Sequence, residues 1–240
     1  MARFRIGTSG FDYDAWKGVF YPAELPRKQR LSWYAGKLGA LEINASFYRK
    51  PSPETVRGWA TQVPGEFRFA LKAWQRITHQ KRLRDCGELL SVFAAAAREL
   101  GERAGPILYQ LPPNLKKDLP LLREFLSLLP PGLRAAFEFR NASWFDDEVF
   151  AALGAAGCAL CVAETEEATV PLVRTAPFGY FRLRREDYDA SRLARWAEEI
   201  ARAGFTEDVF VFFKHEDEAR GPAFALQFEP LAQAAVPAPG

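Results

Sequence analysis

The chain has 240 residues, 48% hydrophobic and 26% charged, a balance that suits one globular domain and excludes a disordered chain. Its formal net charge of +2 excludes an overall polycation built for nucleic acid or an anionic membrane, so any basic feature has to be local. No apolar run is long enough to span a bilayer and the first strand pattern starts at Phe4, which leads us to expect a cytoplasmic protein with no membrane partner.

Eight short apolar runs that close on polar residues predict strands at 4–9, 41–44, 67–72, 107–111, 135–140, 159–164, 179–184 and 209–214. Helical patterns separate most of them. Ser52 followed by Pro53 predicts a capped helix carrying Val56, Trp59, Ala60 and Val63 on one face. Asp85 and Glu88 have capping-box spacing before the next helix, and Asp118 caps one that Pro130 and Pro131 end. Asp189 opens another helix, stopped at Gly204. Residues 165–176 show Pro171 and no 3.6-residue period, so the sixth helix is expected to be short or replaced by loop. Gly221 and Pro222 are expected to delay the eighth, and 236–240 to fray.

This rhythm predicts an α/β fold, a single (β/α)8 TIM-type barrel over 1–235, and the length is close to the ~250 residues typical of one. A doubly wound open sheet is the runner-up, but the first strand lacks the glycine-rich phosphate turn that would support it. Three cysteines, an odd number, suit reduced thiols. Cys158 and Cys161 stand three apart on or beside a strand, hence on opposite faces, and should not share a metal.

Alternation predicts which side chains enter the barrel. With Leu41 and Ile43 packed outward, Glu42 and Asn44 point in; Phe137 and Phe139 leave Glu138 and Arg140 inward; Phe181 and Leu183 leave Arg182 and Arg184 inward. The same parity adds Lys72, Gln110, Glu164 and Lys214. All lie towards the carboxyl ends of their strands, where barrel enzymes place their chemistry. These residues could merely pair inside the barrel, but the cations Lys72, Arg140, Arg182, Arg184 and Lys214 outnumber Glu42, Glu138 and Glu164, so an anionic ligand would complete the balance.

Glu138 is the leading candidate for proton transfer, with Glu42 a second carboxylate. His79, one of two histidines, follows the third strand and could also move a proton. Trp16, Trp74 and Trp144 fall in loops after strands one, three and five, where they could stack on a ligand, whereas Trp33, Trp59 and Trp196 lie on helical apolar faces.

The segments GTSGFDYDAWKGVFYP at 7–22, LEINASFYRKP at 41–51, FRFALKAWQRITH at 67–79, GPILYQLPP at 105–113 and FEFRNASW at 137–144 resemble the YecE-like family, domain of unknown function 72. The resemblance implies a barrel fold and a shared pocket, and supplies no activity. By position it marks Trp16, Glu42, Asn44, Tyr48, Lys72, His79, Gln110, Glu138, Arg140 and Trp144 as pocket residues. This chain departs from the family where Arg184 and Arg185 replace the usual His-Gly, at Phe213, Lys214 and His215, where Asn-rich sequence is common, and at Asn141, where His is common. These changes make its version more cationic.

The leading functional reading is a metal-independent enzyme without a cofactor, acting on a small phosphorylated or carboxylated molecule. Its rival is a non-catalytic binder of nucleic acid or a nucleotide that uses the same arginines and the loop tryptophans. A metal-dependent isomerase or phosphodiesterase follows from fold analogy alone, with His79 and His215 as its histidines. A retaining glycosidase fits poorly, because strands four and seven end on Gln110 and Arg182 instead of paired carboxylates. Oligomeric state is not readable from the chain.

Overall fold

Strand alternation sorts the apolar side chains into two cores, and that sorting fixes which residues reach the barrel mouth. In the computed structural model, which describes residues 2–166, 169–214 and 217–235, eight parallel strands close into a barrel in chain order. They are β1 (Phe4–Ser9), β2 (Ala40–Ile43), β3 (Arg68–Lys72), β4 (Ala104–Gln110), β5 (Ala135–Glu138), β6 (Ala159–Glu164), β7 (Gly179–Leu183) and β8 (Val209–Phe213). The helices are α1 (Arg30–Ala35), α2 (Ala45–Tyr48), α3 (Pro53–Ala60), α4 (Gly87–Arg98), α5 (Leu119–Ser127), α6 (Asp147–Ala155), α7 (Ala190–Arg202) and α8 (Arg220–Ala235). The predicted (β/α)8 barrel is the observed fold.

Inside the barrel, small residues on β2, β3, β5 and β6 (Ala40, Ala70, Ala136, Ala159, Cys161) face large ones on β4, β7 and β8 (Leu108, Tyr180, Phe210, Phe212). Large against small is what lets layers from different strands interlock in a narrow barrel. Outward residues such as Leu41, Ile43, Phe137, Phe181 and Leu183 form the second core against the helices. Cys158 belongs to the outer core and Cys161 to the inner one, both as free thiols, so the three-residue offset does separate them.

Local chemistry explains several helix ends. Ser52, Asp118 and Asp189 accept hydrogen bonds from the N–H groups of Thr55, Leu121 and Arg192, and Gly204 follows α7 at φ 71°. Asp85 does not cap α4. It lies at φ 49° in a stretch where Arg82 and Leu83 also have positive φ, and Cys86 takes the cap position without a side-chain bond. Gly221 and Pro222 do not delay α8 but sit in its first turn, where proline forfeits no helical hydrogen bond. As expected, loop stands in place of a helix after β6 among the described residues of 165–178. That segment folds back on β6 instead, pairing Thr169 with Glu164 and donating from Val170 N–H to Ala163 O at 3.0 Å. The tail at 236–240 lies outside the described residues.

The amino end of the barrel is closed. Arg5 pairs with Asp208 at 3.1 Å and donates to the Glu66 carbonyl, while the Arg134 guanidinium lies over the rings of Phe178 and Phe210. Closure also needs β1 and β2 to approach closely at Gly7, where a Cβ would lie 1.8 Å from the Ala40 carbonyl oxygen. Replacing Gly7 with Ala should therefore destabilise the fold by about 3 kcal/mol or more, while Gly65→Ala, which meets nothing within 4 Å, should leave the melting temperature nearly unchanged. Matching melting curves for the two variants would contradict this packing.

Candidate functional site

Above the inner core, the carboxyl ends of β2, β5 and β7 bring three residues together across the barrel. Arg182 donates from Nη2 to Glu42 Oε1 at 2.8 Å and from Nη1 to Glu138 Oε2 at 2.5 Å. Tyr180, two residues earlier on the same face of β7, donates its hydroxyl to Glu42 Oε2 at 2.6 Å. These groups are out of water, with Glu42, Glu138 and Arg182 at 0, 1 and 2% exposure. Charges so placed persist only if they are paired, and each glutamate here meets the arginine through its own nitrogen.

A second tier of cations stands nearer solvent. Arg140 donates from Nε to Glu138 Oε1 at 2.9 Å, and Arg184 Nη1 lies 3.7 Å from the same oxygen. Burial alone would raise the Glu138 pKa, but Arg182, Arg140, Arg184 and Lys72 together outweigh it and hold the carboxyl down at about 2. Burial beside the Arg182 charge brings Lys72 down to about 8. Its ammonium sits 4.2 Å from the centre of the Phe47 ring. His79 meets the edge of that ring, with ring centres 4.9 Å apart, and its Nδ1 shares a 2.9 Å hydrogen bond with Thr78 Oγ1. Burial, then Lys72 and Arg140, push the imidazole pKa down, which favours the neutral ring.

Parity thus places Glu42, Lys72, Gln110, Glu138, Arg140, Arg182, Arg184 and Lys214 on the inner face at the carboxyl ends, with Asn44 just beyond β2. Four buried polar atoms there, Ser9 Oγ, Asn44 Oδ1, Gln110 Oε1 and Arg182 Nε, have no hydrogen-bond partner among the described residues. Such atoms are costly unless water or a ligand meets them. Tyr48 lies at the rim, 71% exposed, edge-on to Phe47.

Two expectations need correction. Glu164 does not face the barrel interior, because Ala159 and Cys161 take the inward positions of β6; it points outward and accepts from Tyr188 Oη at 2.6 Å and Trp196 Nε1 at 2.9 Å. Trp16 and Trp144 are no stacking platforms, since both are buried in the outer core: Trp16 packs on Tyr13, Phe20 and Tyr21, and Trp144 lies against Phe139 with Nε1 bonded to Leu115 O. His215 lies outside the described residues, among which no group of three or more His, Cys, Asp or Glu is placed to hold a metal. Sequence reasoning missed Tyr180, although it shares the inward parity of Arg182.

Replacing Glu138 with Gln should lower stability by about 3–5 kcal/mol, since it leaves Arg182 short of one counter-charge in a dry site. Because the carboxyl titrates at about 2 instead of the ordinary 4.5, its contribution is complete above 4.5 and lost as pH falls towards 2. Thermal melts across that range should show the gap between wild type and variant closing as acid is added. Equal stability at neutral pH would refute the ion-pair account.

A family model described as "Protein of unknown function DUF72" matches residues 5–239. The UPF0759 protein YecE of Escherichia coli K12 is 34% identical over 116 residues, 48% of this chain and 43% of the relative, so the match spans less than half of that protein. A DUF72 family protein from Thermotoga maritima has a solved structure with TM-score 0.82 and 25% identity, covering 96% of this chain and 99% of that one. Another, from Enterococcus faecalis, has TM-score 0.77 and 20% identity, covering 96% and 95%.

Proposed function

The chain belongs to the DUF72 family, and from the charge arrangement at its barrel mouth we propose that it is an enzyme that binds a small carboxylated or phosphorylated molecule there and moves a proton on it. One observation carries this reading: four cations, Lys72, Arg140, Arg182 and Arg184, share the inner carboxyl end with two carboxylates among the described residues, Glu42 and Glu138, both already engaged by Arg182. A ligand anion would restore the balance, and a guanidinium can hold carboxylate or phosphate through two parallel bonds.

The residue roles then differ from first expectation. A carboxylate held at about 2 has little basicity near neutral pH, so Glu138 aims the arginines. Glu42 does the same from the other side of Arg182. Lys72, at about 8, is the group suited to exchange a proton, with the neutral His79 beside it. Arg140, Arg184 and Lys214 hold the anion, and Asn44 and Gln110 offer their unpartnered oxygens to ligand hydroxyl or amine donors. The burial of Trp16 and Trp144 weakens the nucleic-acid reading by removing two of the three loop tryptophans it used beside the arginines.

Calorimetric titration with inorganic phosphate and acetate provides the test. Saturable binding is expected, weakened about tenfold or more by Arg184→Gln. It should also decline as pH rises through about 8, where Lys72 gives up its charge. Lys72→Met should raise the melting temperature of the ligand-free protein at neutral pH, by on the order of 5 °C, because a lysine whose pKa is lowered by folding opposes folding until it deprotonates. That gain should vanish as pH climbs from about 8 towards 10.5, where the wild-type side chain is neutral in the folded state. Absence of anion binding, or binding indifferent to Arg184→Gln, would overturn the proposal; polynucleotide binding falling steeply with salt would replace it with the rival.

A further inference from the structure

The cationic tier opens sideways into a cleft of about 610 Å³ between the ends of β5 and β6. Its lining mixes two chemistries: Glu138, Arg140 and Arg184 are charged, while Phe139, Phe145 and Val170 are its larger apolar residues. Glu166, the other carboxylate lining the cleft, is taken up by Arg185 at 2.8 Å. We infer that this cleft is a second lobe of the mouth that selects anions carrying an apolar or aromatic tail, the head held by Arg140 and Arg184 and the tail lying against Phe139, Phe145 and Val170. This rests on the anion-binding reading and narrows its substrate class.

The wall is preformed. Phe139 stacks on the buried Trp144 with ring centres 4.9 Å apart and planes 10° from parallel, which fixes the ring that lines the cleft. Val170 is held by its N–H bond to Ala163 O, so the missing sixth helix becomes a strap that supplies one side of the lobe. A rigid apolar surface of this kind favours a tail without the entropy cost of ordering a loop. Among the described residues the ion pair of Arg184 is its 3.7 Å approach to Glu138, and Arg140 uses only Nε on that carboxylate. Both guanidinium groups thus keep nitrogens available to a ligand head beside the apolar wall. A cavity of a few hundred cubic ångströms, mostly apolar with a few convergent polar groups, has the usual character of a small-molecule site.

The experiment compares acetate with phenylacetate by calorimetry on the full chain. Phenylacetate should bind about tenfold or more tightly than acetate, with a more negative heat-capacity change from burying its ring. Val170→Asp should remove that preference, while Arg184→Gln should weaken both ligands. If Val170→Asp fails to fold, Val170→Thr, which keeps the shape but adds a hydroxyl to the wall, should reduce the preference in the same direction. Equal affinities for the two ligands, or a preference untouched in the folded Val170 variants, would overturn the lobe while leaving the anion reading intact. Failure of both ligands to bind would remove the anion reading itself and the lobe with it.

Discussion

Arg182 joins Glu42 on one side of the barrel to Glu138 on the other, and most of the chemistry at the mouth is organised around that bridge. The three side chains come from strands far apart in sequence, and only closure of the sheet brings them within hydrogen-bonding reach. Such a dry charge triad is weak evidence of added stability, because desolvation offsets much of the attraction. Its value lies in direction. Each carboxylate has one rigid partner, and Tyr180 satisfies the second oxygen of Glu42, so the guanidinium plane is fixed beneath the mouth.

The tier above inherits its properties from this bridge. Arg140 and Arg184 approach an oxygen of Glu138, and the positive field of Arg182 adds to burial in making the Lys72 ammonium easier to deprotonate. The site is therefore graded, with a fully engaged triad below and, nearer solvent, Arg140 and Arg184 sharing one oxygen of Glu138. The proposed anion site draws on that grading, since in a set of purely internal salt bridges positive and negative groups would balance at every level.

Much of this was legible in the chain because alternation along a strand is a rigid rule. It places Glu42, Glu138 and Arg182 inward and separates Cys158 from Cys161 from the sequence alone. The rule failed at Glu164 for want of a reference: in a run of buried residues such as Ala-Leu-Cys-Val-Ala-Glu, both parities are apolar, and only the packing of Ala159 and Cys161 shows which face turns inward. Loop position misled for Trp16 and Trp144, since a βα-loop can fold its large rings into the outer core, and nothing local to either tryptophan signals that. The cleft beside β6 escaped because it depends on where a segment without periodicity lies down, which is a matter of long-range contact.

The packed amino end has a consequence for traffic. Arg5, Arg134 and the inner aromatic rings plug that end, so a molecule that enters at the opposite rim has to leave by the way it came. Under the proposed anion-binding function, departure would be governed by the same guanidinium groups that attract the ligand, and a reaction that lessened its negative charge would loosen their hold at the moment release is needed.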